Sequence, residues 1–137
     1  MSYELIDHTA DIGICITEAS IKGLFEISAL AMFEQIADTT NLVGSHTKEI
    51  HVKGIDRTDL LINWLRELLC CWTIDNCLVR EITIITINNN HLSANITYDE
   101  FELKTHEILK DIKAVTYHGA SVEEVDNGWQ ATIIFDV

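Results

Sequence analysis

Val125-Asp126-Asn127-Gly128-Trp129-Gln130-Ala131-Thr132-Ile133-Ile134-Phe135-Asp136-Val137 is the stretch whose reading decides the fold. Asn127-Gly128 is the strongest short hairpin signal in the chain, because both residues accept the left-handed backbone that a tight turn demands. Alternating apolar residues flank it, so residues about 112–125 and 129–136 read as two antiparallel strands. A second hairpin is predicted over 80–98. There Ile82 and Ile84, then Leu92, Ala94, Ile96 and Tyr98, alternate on either side of Asn88-Asn89-Asn90. Residues 48–53 set Ile50 and Val52 to one side and Glu49 and His51 to the other, as in a half-buried strand. Nearer the N-terminus, residues 3–7 and 12–17 read as strands, with Ile12, Ile14 and Ile16 alternating against Gly13, Cys15 and Thr17. The polar run His8-Thr9-Ala10-Asp11 divides them.

Two segments carry helical spacing instead. Ser20 is a predicted N-cap for residues 21–38, where Leu24, Phe25, Ala29, Met32, Phe33 and Ile36 share one stripe, a core face. Asp56 is a predicted cap for residues 57–74, with Leu61, Trp64, Leu65, Leu68 and Trp72 on one face and Asp59 suited to the helix dipole. Both helices are expected on the same face of a sheet. Residues 99–111 are polar, hold His106 and read as a loop or short helix. The expected fold is α+β: a single domain over residues 1–137, one or more mostly antiparallel sheets with two main helices packed against them.

Composition narrows the function. With 137 residues, 47% of them apolar, the chain can bury a sizeable core unaided. No apolar run approaches the roughly 20 residues that span a bilayer, and no signal peptide is visible, so the expectation is a cytoplasmic protein with no membrane partner. Nine Lys and Arg oppose 22 acids, a net charge of −13. Nucleic-acid binders show a basic face that neutralises phosphates, so strong direct RNA or DNA binding is not expected. A basic protein partner or a bound cation suits this charge better. Cys15, Cys70, Cys71 and Cys77 form no CxxC pair, and buried, reduced thiols are the expectation.

The two ends carry the chemistry. If the fold brings them together, Asp11, Asp136 and the terminal carboxylate of Val137 converge as hard oxygen ligands, which stay close only around a cation. Such donors favour calcium, magnesium or manganese over zinc. Adding one residue after Val137 would then displace the terminal charge and weaken the site. The plainer reading makes Asp11 a turn residue that accepts backbone N–H bonds and Asp136 a solvated strand end. His8 could add an imidazole ligand or orient Asp11, and His118 similarly, or either could contact a partner or simply bond to nearby backbone. Lys113 could contact a partner or a nucleotide phosphate, or be a solvated strand lysine. No nucleophile and base stand in recognisable order, so no catalytic residue is expected. Trp64, Trp72 and Trp129 read as core.

Several blocks taken together resemble the archease family: His8-Thr9-Ala10-Asp11-x-Gly13, Asp59-Leu60-Leu61-x-x-Trp64-Leu65-x-Glu67-Leu68-Leu69, Ile112-Lys113-Ala114-Val115-Thr116-Tyr117-His118, Gly128-Trp129 and Ile134-Phe135-Asp136-Val137. They run from end to end of the chain in the family's order. Thr58 stands where that pattern would have a more acidic run, and residues 99–111 lack its Gly/Pro-rich turn. The resemblance implies an accessory protein rather than a free-standing enzyme. Its partner would be the GTP-dependent, RtcB-type RNA ligase of tRNA splicing and RNA repair, whose guanylylation and repeated turnover it promotes. It also implies a divalent cation, calcium foremost with magnesium or manganese as alternatives, held by Asp11, Asp136 and Val137. An alternative carried by similar proteins is a chaperone-like modulator of an RNA-modifying enzyme such as a tRNA methyltransferase.

Overall fold

The structure is a computed structural model and describes residues 3–6 and 11–137. In chain order the elements are β1 (Tyr3–Ile6), β2 (Asp11–Glu18), α1 (Ile21–Ile36), β3 (His46–Lys53), α2 (Arg57–Asp75), β4 (Cys77–Ile87), β5 (His91–Glu100), β6 (Ala114–Val125) and β7 (Gly128–Asp136). The fold is α+β, and all the strand pairs are antiparallel.

The strands divide into two sheets, β1-β2-β7-β6 and β3-β5-β4. Both helices contact strands of both sheets. The expectation of two helices on one face of one sheet is corrected here, and α1 shows why. Besides the expected stripe it buries Ser28, Ala31 and Gln35, so it is covered around a wide arc, as a helix lying against two sheets must be. Trp64 ties the helices together: it is fully buried, and its indole Nε1–H donates to the Phe25 carbonyl at 3.0 Å. The buried apolar residues of both helices and both sheets form one core cluster.

Local chemistry sets the element ends. The Ser20 hydroxyl accepts from the Gly23 N–H at 3.0 Å and starts α1, which ends at Ile36 rather than at 38 because Ala37 turns extended. The Asp56 carboxylate accepts from the Asp59 N–H at 2.8 Å to cap α2. Asn76, in the left-handed conformation at φ 57°, closes the far end.

Both hairpins form; the 88–90 loop is the expected Asn88-Asn89-Asn90, while the other turn is shifted by one residue. In the β6–β7 hairpin Val125 pairs with Gly128, so the turn is Asp126-Asn127, with positive φ at Asn127 (66°). Gly128 begins β7, and glycine is required there by contact: a Cβ would lie 2.4 Å from the Glu18 carbonyl oxygen. At the other hairpin the Asn88 side chain accepts from the Asn90 and His91 N–H groups at 2.9 and 2.8 Å. This side-chain turn replaces left-handed backbone at that loop.

Residues 101–113 form an irregular segment, with a lone bridge between Ala37 and Ile108. His106 organises it, its Nδ1 accepting from the Glu102 N–H at 2.9 Å. Asp99, at the end of β5, fixes the loop before β3 by accepting from the Val43, Gly44 and Ser45 N–H groups at 2.7, 3.2 and 2.9 Å. Burial pushes the Asp99 carboxyl up, but these donors outweigh it and leave its pKa lowered. The expectation of four buried thiols is corrected as well. Cys71 and Cys77 are buried, Cys15 is half-buried and Cys70 is exposed. Adjacent helical residues point about 100° apart, so Cys70 and Cys71 cannot share an environment.

Candidate cation site and its surroundings

The register of β2 against β7 brings the start of β2 beside the end of β7, while β1, running antiparallel to β2, places Tyr3 opposite Ile16, away from that tip. Asp11 pairs with Asp136, Ile12 with Phe135 and Gly13 with Ile134. Phe135, in the next pair inward, is fully buried in the core with Ile12 half-buried against it, and Gly13 and Ile134 beyond are buried, so the ladder runs from the core out to the aspartates. Asp11 is half-buried and Asp136 exposed. Directly opposite residues project to the same side of a sheet with Cβ atoms about 4.5–5.5 Å apart. The two carboxylates therefore share one face at the tip of the sheet.

On its other side Asp136 pairs with Ala114 of β6, and its carbonyl accepts from the Lys113 N–H at 2.7 Å. Lys113 thus adjoins the pair through its backbone, while its side chain is exposed. Val137 follows Asp136 and is 38% exposed. His118 is exposed and lies at a break in the β6–β7 register between Thr116 and Ser121, beyond the residues that pair beside Asp136. His8 lies outside the described residues. Among the described residues, no three His, Cys, Asp or Glu side chains gather as a metal-holding group. The side chains that the register brings together there are the two carboxylates of Asp11 and Asp136.

This donor set fits a hard divalent cation. All of its atoms are oxygens, as calcium or magnesium prefers, and like charges directly opposite on neighbouring strands destabilise a sheet unless something neutralises them.

A second polar cluster beside the tip was not foreseen from the sequence. Tyr117 of β6 donates its hydroxyl to Asp59 of α2, and the Arg66 guanidinium lies 4.7 Å over the Tyr117 ring. Arg66 Nε donates to the Val115 carbonyl at 3.0 Å. Asp59 also accepts from the Ile55 N–H at 2.8 Å and from the Asn63 amide at 3.3 Å. The phenol and then the backbone donor hold the Asp59 carboxyl below its ordinary value, and the same bond raises Tyr117. Farther along, the Thr58 hydroxyl accepts from the Val122 N–H at 3.1 Å and Arg57 lies 4.5 Å over Trp129. Trp129, like Trp72, is half-buried and packs against the rim of the core, with the Arg57 guanidinium over its ring. Helical periodicity shows that Asp59, Arg66 and Thr58 avoid the core face; it does not show that an edge strand lies against them.

No described helix is long and apolar enough to cross a membrane. A model of the Archease protein family (MTH1598/TM1083) matches residues 3–137. Protein archease from Methanosarcina barkeri is 34% identical over 139 residues, covering 98% of this chain and 95% of its own length. Protein archease from Saccharolobus islandicus is 32% identical over 137 residues, covering 99% of each. The solution structure of protein 1598 from Methanobacterium thermoautotrophicum superposes with a TM-score of 0.84 at 30% identity, over 98% of both chains. By profile, by identity along nearly its whole length and by fold, this chain belongs to the archease family.

Proposed function

We propose that this chain is a cation-binding accessory protein that activates a GTP-dependent RNA ligase of the RtcB type, promoting its guanylylation and multiple turnover. The observation that carries this reading is the pairing of Asp11 with Asp136, directly opposite each other at the tip of a sheet rooted in the core. Asp11, Asp136 and the Val137 carboxylate would hold the cation, calcium foremost with magnesium or manganese as alternatives. When bound, the cation supplies the positive charge that lets these carboxylates sit together. The chain's own part is to hold them in register, through buried Phe135 and the buried Gly13–Ile134 pair, and to present them at an exposed edge. The net charge of −13 suits docking onto a basic protein surface rather than onto RNA. Activation then requires that this protein bind the productive state of the ligase more tightly than the unproductive one. Lys113 and His118 are candidate contacts to that partner, and the cytoplasm is the proposed compartment.

The test is guanylylation and multiple-turnover joining by the cognate ligase at substoichiometric enzyme, with wild type, Asp11→Ala and Asp136→Ala. Wild type should stimulate both reactions, and each variant should lose stimulation while keeping its circular dichroism spectrum. Stimulation undiminished in both variants would exclude the cation site from the activity. No stimulation by folded wild type would favour instead a chaperone-like modulator of an RNA-modifying enzyme.

A further inference from the structure

We propose that Arg66 and Tyr117, anchored by Asp59, are positioning residues for the Asp11–Asp136 pair. This inference rests on the cation-site reading above and extends it to residues of α2 and β6 outside the proposed ligand set.

The argument starts from β6, an edge strand of its sheet. Its ladder with β7 begins with Ala114↔Asp136, Val115↔Phe135 and Thr116↔Ile134, then breaks and resumes at Ser121↔Thr132. Gly119, at φ 72°, lies within the break. The run beside Asp136 is therefore three pairs long and separated from the rest of its strand. Short runs at a sheet edge open easily. This run nonetheless flanks Asp136 and leads back to Lys113, whose N–H holds the Asp136 carbonyl.

Helix α2 secures it from the open side. Arg66 Nε takes the Val115 carbonyl, in the middle of the three-pair run, at 3.0 Å. The guanidinium also covers the Tyr117 ring, and the Tyr117 hydroxyl bonds to Asp59. Tyr117 is 50% exposed, so this ring is fixed by its polar contacts more than by burial. Asp59 is itself fixed by Ile55 and Asn63. The clamp thus runs from the first turn of α2 through Tyr117 and Arg66 to Val115, and through the strand to Asp136. Beyond the break, Thr58 and Arg57 make comparable contacts to Val122 and Trp129. Arg57 is consequently a matched control: an arginine stacked on an aromatic ring, from the same helix, on the wrong side of the break.

Charge and positioning predict opposite signs. Removing a cationic side chain from a protein that binds a cation should, by Coulomb's law alone, tighten binding slightly for either arginine. The clamp predicts that Arg66→Ala weakens it, by about tenfold, the lower range for losing a group that orients a ligand. Tyr117→Phe, which keeps the ring and removes only the bond to Asp59, should weaken it less, and Arg57→Ala should not weaken it.

The experiment is calorimetric titration of the full chain with calcium chloride for wild type and these three variants. It is paired with amide hydrogen exchange at Lys113 in calcium-free buffer. The proposal expects weaker calcium binding and faster Lys113 exchange in Arg66→Ala, with Arg57→Ala matching wild type in exchange. Calcium binding in Arg66→Ala as tight as in wild type, or tighter, would overturn it. If wild type bound no calcium, the cation site itself would fail. Lys113 exchange would still decide the clamp, and an unchanged rate in Arg66→Ala would remove it.

Discussion

If a cation is held between Asp11 and Asp136, the site is testable without its partner. In EDTA, Asp136→Ala should melt no lower than wild type, because the carboxylate it removes then has no cation to hold. Added calcium should raise the melting temperature of wild type alone, by about 2.7 kcal/mol of stability at about 100-fold over its dissociation constant. Calorimetric melting with and without calcium reads both outcomes. Asp99 makes a contrasting prediction. Its folded-state pKa is lowered, so its contribution is fully present above the ordinary carboxylate range and is lost as pH falls through the lowered value. Asp99→Asn should cost about 2 kcal/mol at neutral pH, since the three N–H groups lose a charged acceptor. The gap to wild type should shrink below about pH 4, as followed by thermal melts from pH 7 to pH 3. Of these residues, the sequence offered Asp11 and Asp136 only as a pair that would meet if the ends converged, with Asp11 read as part of a polar run; that Asp11 begins β2 directly opposite Asp136 is set by the register. The role of Asp99 was not legible, since its partners lie in an irregular loop more than 50 residues away in sequence.

At the scale of elements, alternation and caps were enough to place most strands and both helices, because burial on one face writes a period into the sequence. The turns show where such local reading stops. Asn127-Gly128 marks the hairpin, but the loop is Asp126-Asn127, and Gly128 is glycine because the backbone of Glu18 passes against it. That requirement arises from the chain end of another strand and has no local signature. Gly128→Ala should therefore destabilise the fold by about 2 kcal/mol or more, by forcing β7 away from the end of β2. An Asn127→Gly exchange, which only eases a positive φ, should be near neutral or mildly stabilising. Urea unfolding midpoints separate the two. The seam of α2 along β6 was illegible for the same reason as Gly128. Periodicity tells which residues face away from the core, and only the tertiary fold tells what they meet there.

Across the whole molecule, the strands belong to two sheets rather than one, and the helices serve both. Sequence alternation cannot distinguish these arrangements, because a strand buries one face in either case. The wide buried arc of α1 was the available sign: Ser28 and Gln35 interrupt its apolar surface, yet both are buried. Trp64 stands where the two helices meet, so Trp64→Phe should remove a buried hydrogen bond and leave the Phe25 carbonyl unpaired. A loss of about 2–4 kcal/mol is expected from that and the resulting cavity, read as a lower urea midpoint with an unchanged slope. This architecture carries one exposed tip where the start of β2 meets the end of β7. The most direct test of what the tip does is the rate of ligase guanylylation with wild type against Asp136→Ala at saturating calcium. Stimulation by wild type that disappears in a folded Asp136→Ala is the predicted result, and equal stimulation by both would contradict the account.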